Sequence, residues 1–240
     1  MGSPRFKALL VQVRSHEGAR LHEQSCFRES GAMSEDELDF FNVVEPDPMT
    51  WSAVEPYDVL FLGGAGDHSA TDIHEFSEPL REVVLRWVAE ERPLLGSCWG
   101  HHFLAWSLGG RVITDPEQEE IGTIDLDLTS AGRRDPLLTD LPDCFPAHQG
   151  HHDVVAGLPA GTVELARSER CGFQILRVED KPAYTTQFHS EMNERHMRER
   201  LHMYRKSYLP EDLILADFER MLRPTTEVAS LLERFLELYT

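Results

Sequence analysis

The chain has 240 residues, 41% of them hydrophobic and 27% charged, enough for one sizeable α/β domain with a buried core. Forty-two acidic residues against 23 basic ones give a net charge of −19, a surface that repels phosphate backbones and anionic lipid and so argues against nucleic acid or membrane as partner. No apolar run approaches the length of a membrane span, Met1 to Lys7 is not followed by the apolar core of a leader peptide, and the start MGSPRF fails the myristoylation pattern. The cysteines at 26, 98, 144 and 171 form no C-x-x-C pair, so a reducing, cytoplasmic setting with a free thiol is expected.

In chain order, Phe6 to Val13 reads as a buried strand. Residues 14 to 56 read as irregular and acidic, with a short helix near Ser34 to Asn42, where SEDE offers an N-cap and carboxylates in the first turn, ended by the prolines at 46 and 48. Val59 to Leu62 is a second strand that runs into Gly63-Gly64-Ala65-Gly66. Glu78 to Glu90 carries Leu80, Val83, Val84, Trp87 and Val88 at helical spacing. Pro93 to Gly96 is a short strand, and His101 to Leu108 a helix stopped by Gly109-Gly110. Ile121 to Leu128 alternates as a strand, followed by strand candidates at 162–166, 173–178 and 183–188. From Met192 the pattern is helical to the end, with a stripe of Val228, Leu231, Leu232, Phe235 and Leu236. Strand–helix alternation with buried strands predicts a mostly parallel sheet covered on both faces.

The stretch Pro93 to Gly110 is the most informative. A strand ends at Gly96, a helix begins just after Cys98, and glycines stand two residues to either side of the cysteine, at 96 and 100, giving a G-x-nucleophile-x-G elbow. Such a turn forces the nucleophile into strained backbone geometry and needs small neighbours; the helix start beyond it favours a thiolate, and the Trp99 amide points toward an oxyanion on Cys98. A structural cysteine in a tight turn is the competing reading. A thiol nucleophile needs a base, and Gln187-Phe188-His189-Ser190-Glu191 supplies an imidazole with a carboxylate two residues on, at a strand end on the same sheet edge as the elbow. With 12 histidines in the chain, His189 taken alone is equally well a structural histidine.

Five blocks in order resemble the class I glutamine amidotransferases, the Cys-His-Glu triad family on a flavodoxin-like α/β fold, and most of all the GMP-synthase-type branch. They are Leu62 to Asp67 (the glycine-rich oxyanion loop), Gly96 to His102 (the nucleophile block), Gln149 to Asp153, Leu165 to Ser168, and Gln187 to Glu191, and the resemblance runs over about residues 6 to 192. It implies a three-layer sandwich with a mostly parallel central sheet and extra C-terminal helices. Residues 1–192 would form the amidotransferase-like domain, and 193–240 a helical extension packed on it. It also implies Cys98 as nucleophile, His189 as base and acid, Glu191 as its orienter, and the amides of Gly64 and Trp99 as the oxyanion hole. Substrate contacts are implied at Gly66, His102, His151 and Asp153. The implied reaction is glutamine hydrolysis through a γ-glutamyl thioester, without a cofactor, releasing ammonia to a separate synthetase. Two positions depart from the family pattern: His102 stands where glutamine is usual, and Ser190 where proline is usual.

The crowd of Cys144, His148, His151, His152 and Asp153 lacks zinc-ligand spacing, and no metal is expected. The glycines at 63–66 lack the lysine of a phosphate loop, so an ATP-using partner would be a separate chain. A γ-glutamyl peptide hydrolase with the same triad, which His102 favours, and a catalytically silent binding or regulatory module are the alternatives.

Overall fold

The computed structural model describes residues 4–204 and 219–240. In chain order the elements are β1 (Ala8–Val13), α1 (Glu17–Ser30), β2 (Leu38–Asn42), α2 (Trp51–Val54), β3 (Val59–Ala65), α3 (Ser77–Ala89), β4 (Leu94–Ser97) and α4 (Trp99–Ser107). Then come β5 (Arg111–Thr114), β6 (Glu120–Leu128), β7 (Cys144–His151), β8 (Asp153–Gly157), β9 (Thr162–Arg167), β10 (Ile175–Val178), β11 (Ala183–Thr186), α5 (Glu194–Met203) and α6 (Leu231–Tyr239). Nine strands form one sheet in the order β2-β1-β3-β4-β11-β10-β9-β6-β7, and β5 and β8 pair as a separate ribbon. From β2 to β11 the pairing is parallel; from β11 to β7 it is antiparallel.

The parallel half is buried on both faces because its strands are apolar at successive positions. Ala8, Leu10, Val59, Phe61 and Leu95 point to one face and pack with Phe27 of α1 and Leu232 and Phe235 of α6. Leu9, Val11, Leu60, Leu62 and Leu94 point to the other and pack with Val84 and Trp87 of α3 and Leu104 of α4. The C-terminal stripe expected at Val228, Leu231, Leu232, Phe235 and Leu236 is buried in the first of these clusters, so α6 closes one face of the sheet. Each such side chain contributes about 1.5–3 kcal/mol by leaving water.

Two expectations are corrected. The helix expected near Ser34 to Asn42 is strand β2, in parallel register with β1 from Ala8↔Leu38 to Gln12↔Asn42. The acids of SEDE do not start a helix: Glu37 instead accepts from the Ser34 amide at 2.9 Å and from Arg5, closing a turn ahead of the strand. The region read as irregular also holds α1, 14 residues long, whose inward face includes the charged Glu23 and so breaks the apolar stripe that marks a helix. Strands β5, β7 and β8 were not anticipated. The continuous helix expected from Met192 falls partly on residues 205–218, which lie outside the described residues. No helix among the described residues is long and apolar enough to cross a membrane.

Candidate active site

A sharp strand-to-helix turn stands at Cys98, between β4 and α4. Cys98 has φ 51° and ψ −100°, a conformation that costs a side-chain-bearing residue strain, and it N-caps α4, which begins at Trp99. The turn is held by its surroundings. The Cys98 amide donates to Thr186 O at 2.8 Å, and the amides of His101 and His102 donate to Cys98 O. Both flanking glycines are required by close approach: a Cβ on Gly96 would lie 2.8 Å from the Gly100 carbonyl, and one on Gly100 would lie 2.6 Å from Leu62 Cβ. Cys98 is 5% exposed and sits at the wall of a cavity of about 410 Å³.

β4 and β11 lie side by side in parallel, with Ser97 opposite Thr186, so the chain leaves both strands at the same sheet edge. His189 follows β11 and is buried, its amide donating to His148 O at 3.0 Å. Its Nδ1–H donates to Glu191 Oε1 at 2.7 Å, which leaves Nε2 as the ring nitrogen not engaged by that carboxylate. Burial alone would push the imidazole pKa down; the Glu191 carboxylate and the nearby Cys98 sulfur outweigh that and raise it to about 9. Burial would likewise raise the Glu191 pKa, but His189 and the Ser97 hydroxyl, donating to Oε2 at 2.6 Å, hold it at about 2. Ser97 is a residue the sequence reasoning passed over; its place beside the nucleophile on β4 was the available signal.

The glycine-rich loop is the C-terminal end of β3. Gly64 adjoins the site closely: a Cβ there would lie 3.2 Å from His189 Cε1 and 3.8 Å from Cys98 Cβ. Its amide, however, donates to Glu23 Oε1 on α1 at 3.0 Å. The expected oxyanion donor is therefore engaged inside the protein in this conformation. The second expected donor, the Trp99 amide, belongs to the first residue of α4 and has no partner within the helix ladder.

Gly66, His102, His151 and Asp153 all line the cavity that Cys98 and Trp99 line. His102 Nε2–H donates to Gln187 Oε1 at 2.7 Å, and burial pushes its pKa down to about 4, so it presents a neutral ring. Asp153 faces inward but is occupied: it accepts from Ser69 Oγ at 2.5 Å, Thr114 Oγ1 at 2.6 Å and the Ala70 amide at 3.2 Å, pinning the loop after β3 to the β5–β8 ribbon. His151 Nδ1–H donates to Asp153 O at 3.0 Å. Trp99 stacks on Phe103, with centroids 4.6 Å apart, and forms the apolar wall. Among the described residues one group, Glu120, His151 and Cys171, brings metal-ligating atoms within 4.8 Å of one another. Glu120 there already accepts from Ser168 Oγ and Gln174 Nε2, and burial raises the Cys171 thiol pKa to about 12. Cys144, by contrast, is exposed at the start of β7.

The family pattern of Glutamine amidotransferase class-I matches residues 27–207. The chain is 31% identical over 134 residues to a subunit of the glutamine-hydrolyzing GMP synthase of Methanopyrus kandleri, covering 56% of this chain and 66% of that one. It is 29% identical over 140 residues to the corresponding subunit from Pyrococcus abyssi, covering 58% and 69%. Against the longer glutamine-hydrolyzing GMP synthase of Shewanella oneidensis the identity is 30%, and the chain spans 22% of that protein. In fold, it superposes on a glutamine amidotransferase from Thermotoga maritima with a TM-score of 0.73 at 23% identity, over 98% of this chain and 97% of that one. A glutamine amido transferase from Methylobacillus flagellatus gives 0.75 at 20% identity, over 98% and 95%. The chain belongs to the class I glutamine amidotransferases.

Proposed function

We propose that the chain hydrolyses the side-chain amide of glutamine and passes the ammonia to a separate synthetase. The observation that carries this reading is the buried Glu191–His189 pair facing a thiol at a strained elbow. With the Cys98 thiol proton passed to His189, the sulfur attacks the amide carbon while the carbonyl π pair moves onto oxygen, where the Trp99 amide and, once turned toward it, the Gly64 amide receive the charge. Collapse expels the amine with the proton held on His189, releasing ammonia and leaving a γ-glutamyl thioester on Cys98. Water then gives a proton to His189 and adds to the thioester; collapse returns the sulfur and frees glutamate. Glu191 keeps the ring in one tautomer and stabilises its cation.

Gly66, His102 and His151 are assigned to the substrate side of the cavity, and Asp153 to holding the 69–70 turn that forms its rim. Residues 1–192 carry every group in this scheme, with α5 and α6 packed on the same domain. A cytoplasmic setting suits the reaction, since all four cysteines are free. The two archaeal relatives, each a GMP synthase component on a chain of its own, support a synthetase on a second chain.

One observation favours a second reading, a γ-glutamyl peptide hydrolase: the cavity of about 410 Å³ exceeds what a single glutamine fills, and neutral His102 stands where the family uses glutamine. Hydrolysis rates for glutamine and for γ-glutamyl dipeptides separate the two, and mass spectrometry of the trapped thioester tests both. Faster turnover of glutamine supports the leading reading; faster turnover of dipeptides replaces it with the second. Absence of any acyl-enzyme with either class overturns both.

A further inference from the structure

We propose that Glu23 is a positioning residue of the glutaminase reaction: it latches the Gly64 amide away from the oxyanion in the resting enzyme, with Arg14 holding the latch. The proposal rests on the glutamine-hydrolysis reading. Glu23 is wholly buried on α1, beneath the end of β3. Its Oε1 accepts from the Gly64 amide at 3.0 Å and from Arg14 Nη2 at 2.6 Å, and its Oε2 from Gln12 Nε2 at 2.8 Å. An amide has one proton and one direction, so while Gly64 serves this carboxylate it cannot serve an oxygen on the substrate.

The backbone at this point is suited to turning. A Cβ on Gly63 would lie 2.9 Å from the Glu23 carboxyl carbon, and one on Gly64 would lie 3.0 Å from Arg14 Nη2. Two glycines in succession therefore let the carboxylate reach the main chain and leave the peptide between them free of side-chain barriers. A buried ion pair is a poor device for stability, because desolvating both charges offsets much of their attraction. Here the pair lies against the loop that faces Cys98 and His189. Arg14 also reaches the Tyr204 hydroxyl at 3.5 Å, and the Tyr204 ring, at the end of α5, lies directly on Gly66. The latch thus joins the glycine-rich loop to the end of α5. Gln12, Arg14 and Glu23 all precede the residues matched by the family pattern, 27–207.

The test compares wild type with Glu23→Gln and with Arg14→Met/Glu23→Gln, the latter removing both charges so that no guanidinium is left buried alone. A neutral acceptor holds Gly64 more weakly than a carboxylate, so either variant should raise kcat for glutamine, by about tenfold, with KM little changed. In ¹⁵N-glycine-labelled protein the Gly64 amide proton should move upfield in the variants. In wild type it should move again when a diazoketone analogue of glutamine alkylates Cys98; the diazo carbon takes the thiol proton and bonds sulfur as N₂ leaves, placing the ketone oxygen by the loop. A fall in kcat in both variants, or a Gly64 resonance unmoved in protein shown by mass to be alkylated, overturns the latch while leaving the glutaminase reading intact. A wild type that neither hydrolyses glutamine nor is alkylated overturns that reading and the latch with it.

Discussion

Replacing Glu191 by glutamine removes a buried charge 2.7 Å from the His189 ring and leaves its shape. In the wild type His189 keeps its proton up to about pH 9, against about 6.5 for an imidazole in water, a rise of roughly 3 kcal/mol at 1.36 kcal/mol per unit. Burial opposes that charge and the carboxylate opposes burial, so without Glu191 the desolvation dominates and the pKa should fall by about 2 units or more. In the proposed reaction the imidazolium delivers the leaving-group proton; it is then scarce above neutrality, and kcat there should drop about 100-fold, with the alkaline limb of the profile displaced toward acid. Histidine-labelled NMR titration gives the ring pKa and steady-state kinetics the limb. The same pair sets a stability window. His189 has a raised pKa, so its contribution is complete below about 6.5 and lost as pH rises through about 9; Glu191 has a depressed one, so its contribution is present above about 4.5 and lost as pH falls through about 2. Thermal melts of the variant should therefore lose less stability than wild type between neutral and alkaline pH. A ring that titrates near 9 in Glu191→Gln would refute the electrostatic account.

Cys98→Ala and Cys98→Gly should both abolish amide hydrolysis, and the glycine variant should be the more stable of the two by about 1 kcal/mol, a few degrees in Tm, because φ 51° with ψ −100° strains any residue with a Cβ. Calorimetry checks this, and equal melting would show the elbow to be unstrained. Gly100→Ala drives a methyl into Leu62 and should cost several kcal/mol or prevent soluble expression, read by denaturant titration. Phe235→Ala, at a wholly buried position against Phe61 and Tyr184, should cost about 3–5 kcal/mol by the same measurement. A small loss would mean that α6 is dispensable to the core.

The elements legible from sequence were those whose burial obeys one period. β1, β3, α3 and α6 carry unbroken apolar signals, and Gly96, Cys98 and Gly100 announce their own turn. The acidic stretch of 14–56 misled for a specific reason: α1 turns Glu23 inward, and β2 follows acids that look like a helix start. β7 hid because its buried positions include His148, Gln149 and His151, whose side-chain partners are Thr123 and Glu120 on the neighbouring β6 and Gln174 just ahead of β10. The pairing of His189 with Glu191 was readable as spacing, whereas Ser97 on Glu191 and Glu23 on Gly64 were not, since neither contact has a local sequence signature.

The antiparallel half of the sheet, β6, β7, β9 and β10, occupies the chain between Cys98 and His189, yet hangs from the far side of β11. The pairing of β4 with β11 sets Cys98 and His189 at one sheet edge, and the carbonyl of His148 on β7 fixes the His189 main chain from across that stretch. Insertions and deletions in the intervening turns that spare His148 should accordingly remodel the rim while leaving the Cys98 and His189 main chain in place, which makes those turns the natural place for evolution, or a designer, to change what docks there.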